Sequence, residues 1–243
     1  MKKISTLFLK DPIDLGRVTN VVNPENQWVF DDEGIATRKY DGAACAIIDS
    51  ELYKRYDVKK GRQVPDGAIP CQEPDMITGH HPHWVKCDRN KPEDKYFFEA
   101  FDKLVDTIEK TNNYYMELFA MDFNVWANLA NSLTGKPIKD QELVFLKEHP
   151  DKNLKLNEET KKFELFDGTY ELIGEKVQGN PEKIVGHTLI KHGITVLNIP
   201  ELSYRGLREY LSNPSNDIEG IVFHHKSDNR MCKLRKSDFG IRR

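Results

Sequence analysis

Several features are scarce in this sequence, and each scarcity excludes a class of protein. The four cysteines, Cys45, Cys71, Cys87 and Cys232, are scattered without regular spacing, which excludes a disulfide-rich secreted scaffold. No apolar run approaches the roughly 20 residues of a membrane helix. The apolar stretch near the N-terminus is too short for a signal peptide. We therefore expect a cytoplasmic protein with no membrane partner.

The chain also lacks repeats, low-complexity tracts and a strong excess of charge of one sign. Its net charge is -3, which argues against a protein that coats nucleic acid. Positive charge is instead local, because residues 54–62 hold five basic side chains against one acid and residues 224–243 hold seven against two. Two such clusters suit a phosphate-rich ligand that is gripped locally, although ordinary solvated faces explain either cluster alone equally well.

The pattern of apolar and turn-forming residues predicts an α+β fold of largely antiparallel sheets, as one domain over residues 1–243. Residues 61–94, rich in Pro, Gly, His and Asp, are predicted to form a long irregular excursion. The other predicted elements are strands at 37–48 and 52–56, helices at 96–110 and 203–211, and strand pairs at 163–177, 187–197 and 218–234.

The run Lys39-Tyr40-Asp41-Gly42 is the most informative motif. Alone it fits a strand that turns at Asp-Gly into another strand. Glu219-Gly220 and Lys233-Leu234-Arg235 follow later in the chain and change that interpretation. A lysine amine attacks phosphorus only when it is neutral, and neighbouring cations favour the neutral form while they balance phosphate charge. The ordered trio therefore predicts a site that attaches a nucleotide to Lys39.

Two further groups of residues are candidates for metal or ribose binding. Glu171 and Glu175 lie four apart, so on a strand both would project from one face and could hold a divalent cation or ribose hydroxyls. A polar solvent face explains either acid alone. Cys71 and Cys87 bracket three histidines, but the spacing is looser than in familiar zinc modules, and a polar loop is the preferred interpretation over structural zinc.

These elements resemble the covalent nucleotidyltransferase superfamily of polynucleotide ligases and mRNA capping enzymes. Within it, they are most similar to a small ATP-dependent 5′-3′ RNA ligase family, over roughly residues 30–240. The resemblance implies a nucleotidyltransferase (ATP-grasp-like) domain with sheets flanked by helices. DNA ligases and capping enzymes usually carry a C-terminal OB domain, but we expect none here, since the sequence ends shortly after Arg235. The matching elements are Lys39 to Gly42, Tyr53 to Arg55, Glu171 to Pro181, Glu219 to Phe223 and Lys233 to Arg235.

The resemblance implies an ATP-dependent RNA ligase that forms lysyl-AMP on Lys39 and joins RNA 5′-phosphate and 3′-hydroxyl ends. ATP and Mg²⁺ (or Mn²⁺) are the implied cofactors. Glu219 would support the metal and the lysyl-adenylate, and Lys233 would act with Arg235 on the α-phosphate. The remaining implied nucleotide contacts are Thr37 near the adenine, Asp41 and Gly42 at the turn, Arg55 on a phosphate, and either Glu171 or Glu175 on ribose or metal.

Two other functions stay open at this point. One is a capping-type guanylyltransferase, which would use GTP in place of ATP. The other is a degenerate domain that binds RNA ends without catalysis. The sequence does not say which RNA would be joined, or in what oligomeric state.

Overall fold

The computed structural model describes residues 4–75, 79–120, 154–157 and 162–243. Over these ranges the chain forms open, mostly antiparallel sheets with few helices, which confirms the predicted α+β class. The strands are β1 Ser5–Thr6, β2 Phe8–Lys10, β3 Val18–Val22, β4 Gly34–Lys39, β5 Ala43–Ile48, β6 Glu51–Val58, β7 Ile69–Pro70, β8 His81–Lys86, β9 Leu154–Asn157, β10 Lys162–Leu165, β11 Gly168–Gly174, β12 His187–Lys191, β13 Gly220–His225 and β14 Met231–Arg235. The α-helices are α1 Lys95–Ala120 and α2 Tyr204–Ser212, and short 3-10 helices cover Pro24–Val29, Pro92–Asp94 and Lys236–Phe239.

A four-stranded sheet, here called the Lys39 sheet, has the strand order β1-β14-β13-β4. Residues alternate between its two faces. Ile221, Phe223 and Leu234 are buried on one face, where they pack in a core with Leu207 and Leu211 of α2. The intervening residues of β4, β13 and β14 therefore lie on the opposite face. They include the predicted site residues Lys39, Lys233 and Arg235.

A six-stranded sheet has the order β12-β11-β5-β6-β8-β7. Its buried residues Cys45, Ile47 and Tyr170 form a second core with Ala100 and Leu104 of the amphipathic helix α1. The face that carries Glu171 points away from this core because of strand alternation. The two remaining strand pairs, β2 with β3 and β9 with β10, form separate two-stranded sheets.

Residues 192–197, called the strap, connect the two larger sheets. They follow β12 and then run beside β4, where the Arg38 N–H donates to the Thr195 carbonyl at 2.8 Å and Leu197 N–H donates to the Ala36 carbonyl at 2.8 Å. An isolated bridge between Thr37 and Val196 lies between these bonds. The strap thus places the end of the six-stranded sheet next to the strand that carries Lys39.

Several predicted elements are confirmed. The helix at 96–110 is part of α1, the strand pair at 218–234 is β13 with β14, and α2 begins after Ser203, whose hydroxyl accepts the Gly206 N–H at 2.9 Å. None of the helices within the described ranges is long and apolar enough to cross a membrane.

Three structural predictions are wrong, because in each case the strands pair with other segments than those predicted. The segment 163–177 is not a hairpin, since β10 pairs with β9 while β11 pairs with β5 and β12. The segment 187–197 is not a strand pair around Gly193, because the strap pairs with β4. The excursion at 61–94 contains β8, which lies between β6 and β7.

Candidate active site

Lys39 ends β4 and its amine forms an ion pair with the carboxylate of Glu219. The amine also donates a hydrogen bond to the Tyr40 carbonyl at 3.3 Å. Burial raises the pKa of Glu219, and the charge of Lys39 opposes that effect. The cation of Lys39 thus partly offsets the cost of burying the Glu219 carboxylate as an anion.

The pairing register explains why Glu219 and Lys39 meet. Gly220 of β13 lies directly opposite Lys39 on one side and Arg235 on the other. A Cβ atom on Gly220 would lie 2.3 Å from the Leu234 carbonyl oxygen, so a larger residue would push β14 away. The Glu-Gly pair thus combines a carboxylate next to Lys39 with the close strand packing that holds it there.

Lys233 and Arg235 supply positive charge on the same face. Burial, together with the neighbouring charges of Arg235 and Lys39, lowers the pKa of Lys233 to about 8. The guanidinium of Arg235 is fixed by Asp238, with Nη2 at 3.1 Å from Oδ1. Asp238 is fully buried and also accepts a hydrogen bond from Lys10 at 2.7 Å. Asp238 therefore holds Arg235 in place, and Lys233 lies close enough to Lys39 and Arg235 to feel their charge.

Gly42 is required for a reason that sequence reasoning did not identify. A Cβ atom here would lie 2.2 Å from the Leu172 carbonyl oxygen and 2.9 Å from Cγ of Glu171. The glycine thus permits a close approach of the Lys39 loop to β11, and it does not adopt a left-handed backbone conformation. Its position ties the two sheets together at the site.

Glu182 is a site residue that the sequence did not reveal. One carboxylate oxygen accepts the Asp41 N–H at 3.0 Å, and the group also pairs with Arg38 at 2.5 Å and Arg243 at 2.9 Å. Burial acts to raise the pKa of Glu182, but these donors outweigh it and the pKa is lowered. Glu182 lies in the loop between β11 and β12, where no periodicity marks it, so only the folded chain shows that it holds the Lys39 loop.

A pocket opens between the Lys39 sheet and the end of the six-stranded sheet. Thr37 lies in its floor, buried, with its hydroxyl donating to the Val222 carbonyl at 3.0 Å. The far wall is formed by Glu171 of β11 and by the strap. Residues that line the pocket include Thr37, Lys39, Glu171, His192, His224 and Met231.

The structure brings Glu171, and not Glu175, to this pocket. The same-face prediction for the two acids is wrong because β11 ends at Gly174, which leaves Glu175 outside the strand and exposed. Glu171 is mostly buried and its Oε2 lies 2.8 Å from Nε2 of His192. The acid available to a ligand in the pocket is therefore Glu171.

Comparison with known protein families bears directly on this arrangement. Residues 138–243 match the family model described as RNA ligase 1. This segment is similar to an RNA ligase family. The resemblance to ATP-dependent RNA ligases is thereby confirmed. A search of curated proteins gives no match.

The matched segment includes the pocket residues Glu171, His192 and His224, together with Glu219 and Lys233 near Lys39. Lys39 lies outside the matched segment. The pairing of β4 with β13 places Lys39 opposite Gly220, which belongs to that segment. The candidate site is therefore formed jointly by the matched segment and by the preceding strands.

Two residues of the first basic cluster, residues 54–62, have different roles. The amine of Lys54 pairs with Asp94, which is fully buried in the 3-10 helix that precedes α1, so Lys54 stabilises the fold. Arg55 lies two strands from Glu171 in the six-stranded sheet, about 10 Å away at ordinary strand spacing, and pairs with Asp57 at 3.2 Å. The strand register places Arg55 on the same face as Glu171, outside the pocket itself.

The residues around Lys39 offer a divalent cation only a small set of ligands. Within the described ranges, no group of three or more His, Cys, Asp or Glu side chains is arranged to hold a metal ion. Mg²⁺ commonly binds through one or two carboxylates together with substrate phosphates, and Glu219, with Asp41 close enough to raise its pKa, fits that mode. Burial raises the pKa of Cys87 to about 12, which disfavours the thiolate that a zinc site at Cys71 and Cys87 would need.

Proposed function

We propose that this protein is an ATP-dependent RNA ligase that joins 5′-phosphate and 3′-hydroxyl ends through a lysyl-AMP intermediate on Lys39. We further propose that its two facing sheets form the nucleotidyltransferase fold. The observation that carries the proposal is the ion pair between Lys39 and Glu219, beside Lys233 and Arg235. Lys39 also lines a pocket whose other residues include several from the segment that matches the RNA ligase family model.

In the first step the nitrogen of Lys39 attacks the α-phosphorus of ATP. The N–P bond forms as the bond from the α-phosphorus to the pyrophosphate oxygen breaks, and pyrophosphate leaves. Lys39 must first lose a proton to solvent, because only the neutral amine has a free lone pair, and its ion pair with Glu219 is lost as it does so. Lys233 and Arg235 would then balance the charge that develops on the phosphate oxygens.

Two further steps would complete the joining reaction. An oxygen of the RNA 5′-phosphate attacks the phosphorus of lysyl-AMP, which breaks the N–P bond and returns the amine of Lys39. The RNA 3′-hydroxyl then attacks the activated 5′-phosphate and loses its proton, and AMP leaves. Arg55, on the sheet face that leads to Glu171, is the residue we assign to an RNA phosphate.

The remaining residues would bind and orient the nucleotide. A divalent cation held by Glu219 would supply positive charge to the ATP phosphates. Thr37, His224 and Met231 line the part of the pocket that leads away from Lys39, and they suit a base better than a phosphate because they bring no charge of their own. Burial lowers the pKa of His224, which keeps its imidazole neutral there.

The test is incubation with α-labelled ATP or GTP and Mg²⁺, followed by denaturing electrophoresis. We expect label from ATP on the wild-type protein, none on Lys39→Ala, and release of the label by 5′-phosphorylated RNA. Label from GTP alone would favour a capping-type guanylyltransferase. No label with either nucleotide, together with unchanged RNA affinity in Lys39→Ala, would favour a non-catalytic module that binds RNA ends.

A further inference from the structure

His192 makes three contacts that fix its ring against β11. Its backbone N–H donates to the Thr169 carbonyl at 3.0 Å, which ties the residue to the neighbouring strand. Its Nδ1 lies 2.9 Å from the Thr169 hydroxyl and its Nε2 lies 2.8 Å from Oε2 of Glu171. Since an ionised carboxylate only accepts, Nε2 carries the hydrogen toward Glu171, and in the neutral ring Nδ1 accepts from the Thr169 hydroxyl.

Glu171 is held from two sides by these neighbours. His192 binds Oε2, and the backbone of Gly42 packs so closely that an added Cβ would lie 2.9 Å from Cγ of Glu171. Among the described residues, the Glu171 carboxylate has no hydrogen-bond partner other than His192, so Oε1 is left to a ligand. Both Glu171 and His192 line the pocket that contains Lys39.

The position of this pair within the pocket decides what it would contact. A nucleotide whose α-phosphate lies at Lys39 would place its base toward His224 and Met231. These two residues lie opposite each other in the sheet, four residues further along β13 than Gly220, the partner of Lys39. At strand spacing, four residues correspond to about 13 Å. Glu171 and His192 form the opposite wall, where the sugar between phosphate and base would lie. A carboxylate oxygen there accepts hydroxyl hydrogens and offers nothing to a phosphate.

We propose that His192 is a positioning residue that orients Glu171 so that Oε1 accepts a hydroxyl of the nucleotide ribose. This inference rests on the proposed nucleotide-binding function. It predicts that the protein selects ribonucleotides through the Thr169–His192–Glu171 chain of hydrogen bonds.

The experiment compares equilibrium affinities for ATP, 2′-deoxy-ATP and 3′-deoxy-ATP, measured by calorimetry without chemistry. We expect wild-type protein to bind ATP about tenfold or more tightly than one of the two deoxynucleotides, because a hydrogen bond to a charged group is at stake. His192→Phe should reduce this ratio to below about threefold, and Thr169→Val should reduce it partly. His192→Gln keeps a donor for Glu171 and should restore most of the ratio.

Two controls separate positioning from general damage to the pocket. His224→Phe makes the same change elsewhere in the pocket and should alter affinity for the three nucleotides equally, leaving the ratio unchanged. In a Glu171→Ala background, His192→Phe should have no further effect on the ratio, because His192 acts through Glu171.

Three outcomes would overturn the inference: equal binding of all three nucleotides by the wild type, an unchanged ratio in His192→Phe, or an equal loss of the ratio in His224→Phe. Because the readout is binding, it is separate from the labelling of Lys39. Label on Lys39 with no ribose discrimination would refute the role of His192 and leave the ligase proposal standing. A protein that binds no nucleotide at all would refute both.

Discussion

Replacing Lys233 by methionine should make the protein more stable while removing its activity. Lys233 is partly buried among like charges, and its pKa is lowered from 10.5 to about 8. At neutral pH the side chain is still mostly protonated in the folded protein. The fold therefore holds an ammonium group in an unfavourable environment, and Met fills nearly the same volume without the charge.

The magnitude follows from the difference between the two pKa values. Each pH unit corresponds to about 1.36 kcal/mol, so the charge destabilises the folded state by roughly 3 kcal/mol at pH 7. The sign also follows. Between pH 8 and pH 10.5 the unfolded chain keeps the proton that the folded chain has lost, so raising the pH over that range stabilises the wild type relative to the variant.

The assay is urea unfolding of both proteins at pH 7, 8, 9 and 10, followed by circular dichroism. We expect Lys233→Met to exceed the wild type by about 2 to 3 kcal/mol at pH 7 and the difference to shrink toward zero near pH 10.5. Lys59→Met, at an exposed position, should change the free energy of unfolding little at any pH. A variant no more stable than wild type at pH 7, or a difference that is independent of pH, would refute the reasoning. Adenylylation of Lys39 should be lost in Lys233→Met, because the α-phosphate loses a cation.

Three other substitutions test the site and its support. Glu171→Gln should abolish or strongly weaken ATP-dependent labelling of Lys39, whereas Glu175→Gln should label normally because residue 175 is exposed; equal effects would contradict the assignment. Gly42→Ala should destabilise the fold by about 2 kcal/mol and reduce labelling, since its Cβ would collide with β11; unfolding as in wild type would argue against that packing. Asp94→Ala should lower the free energy of unfolding by about 3 kcal/mol, because the charge of Lys54 loses its partner. Lys39 of the folded variant should still be labelled by ATP. A decrease below about 1 kcal/mol in urea unfolding would show that the buried pair contributes little.

Local sequence was sufficient to predict a helix or strand pair wherever the residues of that segment carry the pattern that forms it. The apolar spacing of α1 and the cap at Ser203 are local patterns, and so is the strand pair that ends at Arg235. The order of the Lys39, Glu219 and Lys233 elements likewise indicated the family, and the match over residues 138–243 confirms that indication.

Local sequence was insufficient wherever the partner lies far along the chain. Two predicted strand pairs failed because β11 and the strap are hydrogen-bonded to β5 and β4, more than a hundred residues earlier. To choose between Glu171 and Glu175 one must know where β11 ends, and the alternation of residues along a strand does not give that boundary. Glu182 carries no pattern at all, because its function comes from the basic groups that surround it after folding.

The sequence by itself determined which side chains are available for phosphate chemistry, because Lys, Glu and Arg in fixed order are a property of the chain. Tertiary structure alone decided which of them meet. Burial sets the pKa of Lys233 and Glu219, and strand register places Lys39 opposite Gly220. Both effects depend on distances between segments that the linear sequence does not specify.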